Sequence, residues 1–531
     1  MMKKVIQSIF IIFLAAVCLT AISACQDKDK PANDTEKLTW QKQLDFYLAA
    51  DNTAYDGVPA QKDRPDENGR SWYQVFVYSF CDSNSDGIGD LGGITERLDY
   101  IAGTGFDGIW LSPIHPSDTY HKYDVKDYYS IDPVYGSMKD FERLVSVCHE
   151  RGLKIIIDLV INHTSIDHPW FKAHPEYYNI QDTPGNGNWK QLPGGKYYEC
   201  RFGDRMPDLN LKSSEVRTEL EKVFDFWLDK GVDGFRLDAA GEYESGNAAK
   251  NIEILSWLNS TVKAKKSNAY IVGEFWSNTT ALYAYYKSGI DSFFAFPFAD
   301  SVGLIAKTIL GVSDINDYLS KLVSSQEAIW ENNPNSTAAP FFINHDMARA
   351  SGVLRRDENL IKMAWGMSIM QPGDAFVYYG EELGMSGSGK DENKRAPMYW
   401  TEEKRAMGMT FGPPSMDSVS HSFPPAIKQI ADKNSIYSYI KKALILRAKY
   451  PVIGRGDIKI LDLKSDGKTV GAVSRTWKNE SITVIYNISS ENATVNVGGK
   501  LLDYLSAGGS EPAHDGEKLF LPGYSIAIIQ N

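Results

Sequence analysis

Two stretches decide the reading of the fold: Asp233-Gly234-Phe235-Arg236-Leu237-Asp238 and Tyr270-Ile271-Val272-Gly273-Glu274-Phe275. Each is a short apolar run with an acid at or near its C-terminal end. Six further runs of this kind lie on either side, at 74–80, 108–114, 154–160, 292–298, 340–344 and 375–379. They are rich in β-branched and aromatic residues, and most are separated by longer amphipathic segments. Eight strands alternating with helices predict an α/β fold, a (β/α)8 TIM barrel over residues 71–450.

The pattern is interrupted once. After the third run a polar, irregular stretch full of Gly, Pro, Asn and Tyr extends to about residue 212. That is too long for a simple loop, so residues 163–212 are expected to form an inserted subdomain beside the cleft. Following a helix near 435–449, residues 451–531 show short alternating runs punctuated by turns. They predict a C-terminal all-β domain, a β-sandwich.

The N-terminus carries a processing signal. A positive start at Met1 to Lys4 precedes a nearly apolar stretch to Ala24, and small residues then lead into Cys25. Residues 1–24 are read as a signal peptide. The run resembles a bacterial lipoprotein signal, which implies lipidation at Cys25. Residues 25–70 are then a tether and linker, with a short helix around 40–50. The expected location is an exported lipoprotein, periplasmic or at the cell surface, on a membrane through its lipid. An uncleaved anchor or a plain signal with a chance cysteine are the alternatives. Of the five cysteines, Cys81, Cys148 and Cys200 remain, with no metal-ligand spacing and room for one disulfide.

The chain has 531 residues and a formal net charge of -12, which offers no basic stripe to a nucleic acid. Aromatics reach 12%, as suits a sugar-binding cleft or a large barrel core alike.

Reactive groups in such barrels sit at the C-terminal strand ends. Here three ends carry acids: Asp238, Glu274 and, in Asn344-His345-Asp346, Asp346. Residues i and i+2 of a strand share a face, so Arg236 lies beside Asp238 as its counter-charge. Glu274 has no cation next to it in sequence and lies near Trp276, which predicts a protonated acid. Retaining glycosidic cleavage needs two carboxyl groups about 5–5.5 Å apart, one ionised and one protonated.

With these residues in place the chain resembles glycoside hydrolase family 13, the α-amylase family, over nearly its whole mature length. The matching segments are Asp158 to His163, Met206 to Asn210, Gly234 to Asp238, Gly273-Glu274 and Asn344 to Asp346. The resemblance implies Asp238 as nucleophile, Glu274 as acid/base and Asp346 as transition-state stabiliser. It implies substrate contacts from Arg236, His163 and His345, from His121 and Tyr123 in Tyr120-His121-Lys122-Tyr123-Asp124, and from Arg395. Asp158 is expected to support Arg236.

The loop Asp82-Ser83-Asn84-Ser85-Asp86-Gly87-Ile88-Gly89-Asp90 sets oxygen ligands at alternate positions around a glycine turn, as Ca²⁺ requires. Gly93 stands where an EF-hand needs Glu. The family's own loop at this place implies a structural Ca²⁺ held by Asp82, Asn84, Asp86, the Ile88 carbonyl and Asp90. A solvated Asx-rich turn or Mg²⁺ are the alternatives. One departure is Gly241-Glu242, where many α-amylases carry a Lys-His pair that helps bind a second Ca²⁺. The expected substrate is an α-glucan or malto-oligosaccharide cleaved at α-1,4 bonds. The alternatives are an α-glucosidase, oligo-1,6-glucosidase or transglycosylase on short oligosaccharides, and a non-catalytic glycan-binding lipoprotein. Linkage preference and oligomeric state stay open.

Overall fold

The computed structural model describes residues 34–50, 58, 61, 69–277, 280–465 and 468–531. Cys25, the signal peptide and most of the tether lie outside the described residues. Eight parallel strands form one sheet: β1 Ser71–Val75, β2 Gly108–Leu111, β3 Lys154–Leu159, β4 Gly234–Leu237, β5 Tyr270–Gly273, β6 Ser292–Phe294, β7 Thr337–Ala339 and β8 Ala375–Tyr378. Each from β1 to β6 pairs with the next, and β1 also pairs with β8. A single bridge between Phe341, just past β7, and Phe376 in β8 closes the barrel. Strands covered on both faces read as near-continuous apolar runs, which is why these segments stand out in the sequence.

All eight strands are shorter than the expected runs, β2 stopping at Leu111 and not at 114, and three others depart in an instructive way. β1 begins at Ser71 and ends at Val75, and 77–80 turn into a short buried helix, Val77–Phe80. A buried apolar run does not by itself distinguish strand from helical turn. β6 stops at Phe294, before a 3-10 turn, Phe296–Phe298, built around Pro297. β7 lies ahead of Pro340 rather than after it. Proline has no N–H to give a ladder, so the pairing ends there.

Several helices between strands bury one face, whereas Glu358–Ile369 is buried all round from Leu360 onward. Met138–Glu150 opens with a capping box between Ser137 and Asp140 and buries Phe141, Leu144, Val145 and Cys148, a spacing of 3, 1 and 3 residues. The helix expected around 40–50 spans Asp34–Ala50. It docks through Trp40, whose ring lies 6.1 Å from that of Trp400.

Between β3 and the helix Ser214–Asp229, three short antiparallel strands, Ile180–Gln181, Trp189–Gln191 and Tyr197–Glu199, form a small sheet. The C-terminal residues form a five-stranded and a three-stranded antiparallel sheet. These pack through Val470, Ala472, Ile485, Val495, Leu519, Leu521, Ala527 and Ile529. Cys81, Cys148 and Cys200 are free and buried, so no disulfide joins them. Among the described residues no helix is long and apolar enough to cross a membrane.

Candidate active site

β4 and β5 approach each other closely at their N-terminal ends. Gly234 has φ +147°, and a Cβ there would lie 1.8 Å from the Tyr270 carbonyl oxygen, so only glycine fits. From that contact the strands run in register to Leu237 opposite Gly273. Asp238 and Glu274 are therefore the next residues past the two strand ends.

Arg236 lies beneath them, fully buried, with its guanidinium carbon 5.1 Å from the Trp110 ring centroid. Its Nη1 donates to Asp158 at 2.6 Å and to Asp238 at 2.8 Å. Its Nη2 lies 2.9 Å from Glu274 Oε2. The expectation that Glu274 has no cation beside it is corrected here. Sequence adjacency did not reveal the contact because Arg236 reaches Glu274 across strands.

One guanidinium faces three buried acids and cannot offset all of them as anions. Burial, reinforced by Asp238, Asp346 and Asp158, pushes the Glu274 carboxyl up to about 7 despite Arg236. Burial also pushes Asp158 up, but Arg236, Trp110 Nε1 and the Tyr123 hydroxyl all donate to it. Among the described residues Glu274 accepts only at Oε2, from Arg236 and the Ala239 amide, which leaves Oε1 for a proton. Trp276 does not cover it. That ring is 56% exposed and leans on Phe296.

Asp346 is more open. Burial pushes its carboxyl up, but His345, Arg395 and Arg236 outweigh this and hold it below the usual carboxylate range. Arg395 Nη2 donates to its Oδ1 at 2.7 Å. Burial depresses His345 to about 3, so the ring is neutral. Gln74 Nε2 lies 2.8 Å from His345 Nδ1 and donates to it. The proton is then on Nε2, which faces the Tyr123 oxygen at 2.8 Å and Asp346 Oδ2 at 3.2 Å.

His163 Nε2 lies 3.1 Å from the Tyr123 carbonyl, and its ring meets Phe202 at 5.2 Å. The backbone N–H of Tyr123 donates to His121 Nδ1 at 3.1 Å. Arg395 also donates to the Tyr120 hydroxyl at 2.7 Å. Asp238, Glu274, Asp346, Arg236, Tyr123, His345 and Arg395 thus form one connected network. Gln74, Trp110 and Tyr120 belong to it too and were not singled out from the sequence. The signal for Gln74 is a lone polar residue inside an apolar strand.

Beyond Glu274 opens a cavity of about 380 Å³ lined by Arg201, Phe202, Ala239, Gly241, Glu242 and Trp276, among others. Arg201, from the segment between β3 and β4, is paired with Glu242 at 2.5 Å.

The loop 82–90 follows the short helix after β1. Asp82 accepts from the amides of Asn84, Ser85 and Gly87, Asn84 from Asp86, and Asp86 from Ile88. Asp90 accepts from Ser83 and caps the following helix through Gly93. Among the described residues no three His, Cys, Asp or Glu side chains converge on a metal position. The donor chemistry is nonetheless that of a hard cation, and the Asx turns keep spare lone pairs on Asp82, Asn84 and Asp86.

A barrel whose strand ends present a cluster of arginines and carboxyls, with Glu274 pushed toward neutral pH, is built for acid-assisted cleavage. The comparisons agree. The family described as "Alpha amylase, catalytic domain" matches residues 74–456. "Alpha-amylase 3" of Dictyoglomus thermophilum is 36% identical over 474 residues, covering 86% of this chain and 92% of its own. "Oligo-1,6-glucosidase" of Parageobacillus thermoglucosidasius is 30% identical over 513 residues, covering 79% and 90%. The solved structure of Eubacterium rectale Amy13B superposes with a TM-score of 0.86 at 40% identity, over 90% of this chain and 99% of that one. The chain is a glycoside hydrolase and belongs to the α-amylase family, glycoside hydrolase family 13.

Proposed function

We propose that this enzyme cleaves α-1,4-glucosidic bonds of starch or malto-oligosaccharides with retention, by double displacement. The observation that carries the reading is the single guanidinium of Arg236 shared by Asp238 and Glu274, with the Glu274 carboxyl pushed up to about 7 and its Oε1 left for a proton. Arg236 grips Asp238 at Oδ1, so Oδ2 is the attacking oxygen. It forms a bond to the anomeric carbon as the glycosidic C–O bond breaks. Glu274 gives its proton to the departing oxygen. It then takes a proton from water, which attacks the same carbon and frees Asp238. Asp346 and His345 bind hydroxyls of the distorting ring, with Arg236, His163, His121, Tyr123 and Arg395 around them. The leaving sugar occupies the cavity beyond Glu274.

The second reading is action on short oligosaccharides, including α-1,6 links or transfer to another sugar. Gly241-Glu242 favours it, because Glu242 is committed to Arg201 on the leaving-group side. Product analysis on starch, maltotriose, pullulan and isomaltose separates the two. Release from starch with an α-configured first product supports the first reading. An inverted product overturns retention, and activity on isomaltose alone overturns the α-1,4 assignment.

The loop 82–90 is assigned in this reading to a structural Ca²⁺ bound by Asp82, Asn84, Asp86, the Ile88 carbonyl and Asp90. It lends rigidity to the segment after β1 and takes no part in the chemistry. The first 25 residues support export and lipid anchoring through Cys25. Metabolic labelling with a radioactive fatty acid, lost in Cys25→Ser, tests that.

A further inference from the structure

Residues 384–396 run as a strap past the end of β8. The strap is glycine-rich and exposed at 388–391, then returns to the interior at Arg395. What returns it is Arg349, three residues beyond Asp346. Arg349 is fully buried against the faces of Tyr378 and Tyr379, at 4.1 and 4.8 Å from their centroids. Its amide donates to the Gly387 carbonyl at 2.9 Å, and its Nε to the Lys394 carbonyl at 3.0 Å. Its Nη1 donates to the Tyr379 carbonyl and lies 3.3 Å from Glu381, also fully buried. The two tyrosines add bonds of their own, Tyr378 to the Lys394 carbonyl and Tyr379 to the Ala396 carbonyl. Lys394 Nζ then donates to the Asp346 carbonyl at 2.8 Å. The carbonyls on both sides of Arg395 are therefore pinned, and Arg395 has one place from which to reach Asp346.

We infer that Arg349 is a positioning residue for the reaction. It holds the strap so that Arg395 grips the Asp346 carboxylate, and Glu381 is the buried counter-charge that keeps Arg349 in place. This rests on the reading of Asp346 as a group that binds the transition state. A planar fork with several donors is required, because lysine offers one point of charge in place of three directed bonds. An interaction felt only in the transition state lowers kcat and kcat/KM together.

The test is a double-mutant cycle on the full-length enzyme with a malto-oligosaccharide, read as kcat and KM. Arg349→Lys alone is expected to lower kcat/KM by about 10- to 100-fold, mostly in kcat, in protein that still melts cooperatively. Made in an Arg395→Gln background, the same change is expected to cost less than about threefold, because the arm it positions is gone. Glu381→Gln keeps the shape, removes the charge and serves if Arg349→Lys folds poorly. It is expected to show the same non-additivity at smaller amplitude. Deficits that multiply, or a folded Arg349→Lys enzyme with unchanged kcat, would overturn the inference. Asp346→Asn is measured alongside. If it stays fully active, the reading of Asp346 fails, and not merely its positioning.

Discussion

Tyr123 and His345 face each other with ring planes 7° apart, and the Tyr123 hydroxyl sits 2.8 Å from His345 Nε2. The same hydroxyl donates to Asp158 at 3.1 Å. Tyr123 therefore joins the histidine beside Asp346 to the acid beneath Asp238. Tyr123→Phe keeps the ring and removes both links. It leaves His345 and Asp158 each short of a partner in a buried site. The expected loss in transition-state stabilisation is about 1–3 kcal/mol, read as a roughly 5- to 150-fold fall in kcat/KM. An unchanged kcat/KM would remove Tyr123 from the network's function.

The acid/base assignment predicts a pH profile. Glu274 must be protonated to act as acid, and its carboxyl is pushed up to about 7. The rate should fall as pH rises through about 7, and that basic limb should disappear in Glu274→Gln. That variant should lose about 10²- to 10⁴-fold on sugars with poor leaving groups and much less on aryl glycosides. Wild-type turnover of maltotriose by it would overturn the role.

The same group makes a stability prediction of defined sign. A carboxyl raised in the folded state stays protonated while the unfolded chain ionises, so stability declines from about pH 4.5 to about 7 and is then level. Glu274→Gln should therefore melt higher than the wild type at pH 8 and nearly with it at pH 4. Melting curves at the two values decide it. A variant less stable at pH 8 contradicts the burial cost assigned to Glu274.

Trp276 is predicted to be a substrate contact and not a core residue. With its ring 56% exposed, Trp276→Ala should shift the melting temperature by less than about 2 °C. Loss of a stacking face should raise KM for longer malto-oligosaccharides by about 2- to 10-fold. Equal KM values for long and short substrates would exclude the contact.

Calcium is tested by chelation. EDTA should lower the melting temperature by about 5 °C or more while leaving activity at low temperature nearly intact, and added Ca²⁺ should restore it. Asp86→Ala should melt like the chelated enzyme and gain nothing from Ca²⁺. A melting curve indifferent to EDTA would leave loop 82–90 as a hydrogen-bonded turn.

Much of this was legible in the sequence because the barrel writes its layout locally. Buried parallel strands make apolar runs, and Asp238, Glu274 and Asp346 each follow such a run or lie just beyond it. What was not legible depends on partners far along the chain. The contact of Arg236 with Glu274 crosses from one strand to the next. Arg349 owes its place to Tyr378, Tyr379 and Glu381, which no spacing rule connects to it. The strand limits at Phe294 and Pro340 were misplaced because burial continues through the turns that end the ladders.

Gly234 gives the chemistry an unexpected point of control. The missing side chain lets β4 and β5 nest at the floor of the barrel, and their ladder carries that nesting upward to Asp238 and Glu274. The gap between the two carboxyls is thus gauged at the opposite end of the strands. Even an added methyl group at Gly234, buried beneath both carboxyls, would prise Asp238 and Glu274 out of step. The tolerance of this enzyme to redesign is therefore narrower at its hidden base than at its open rim.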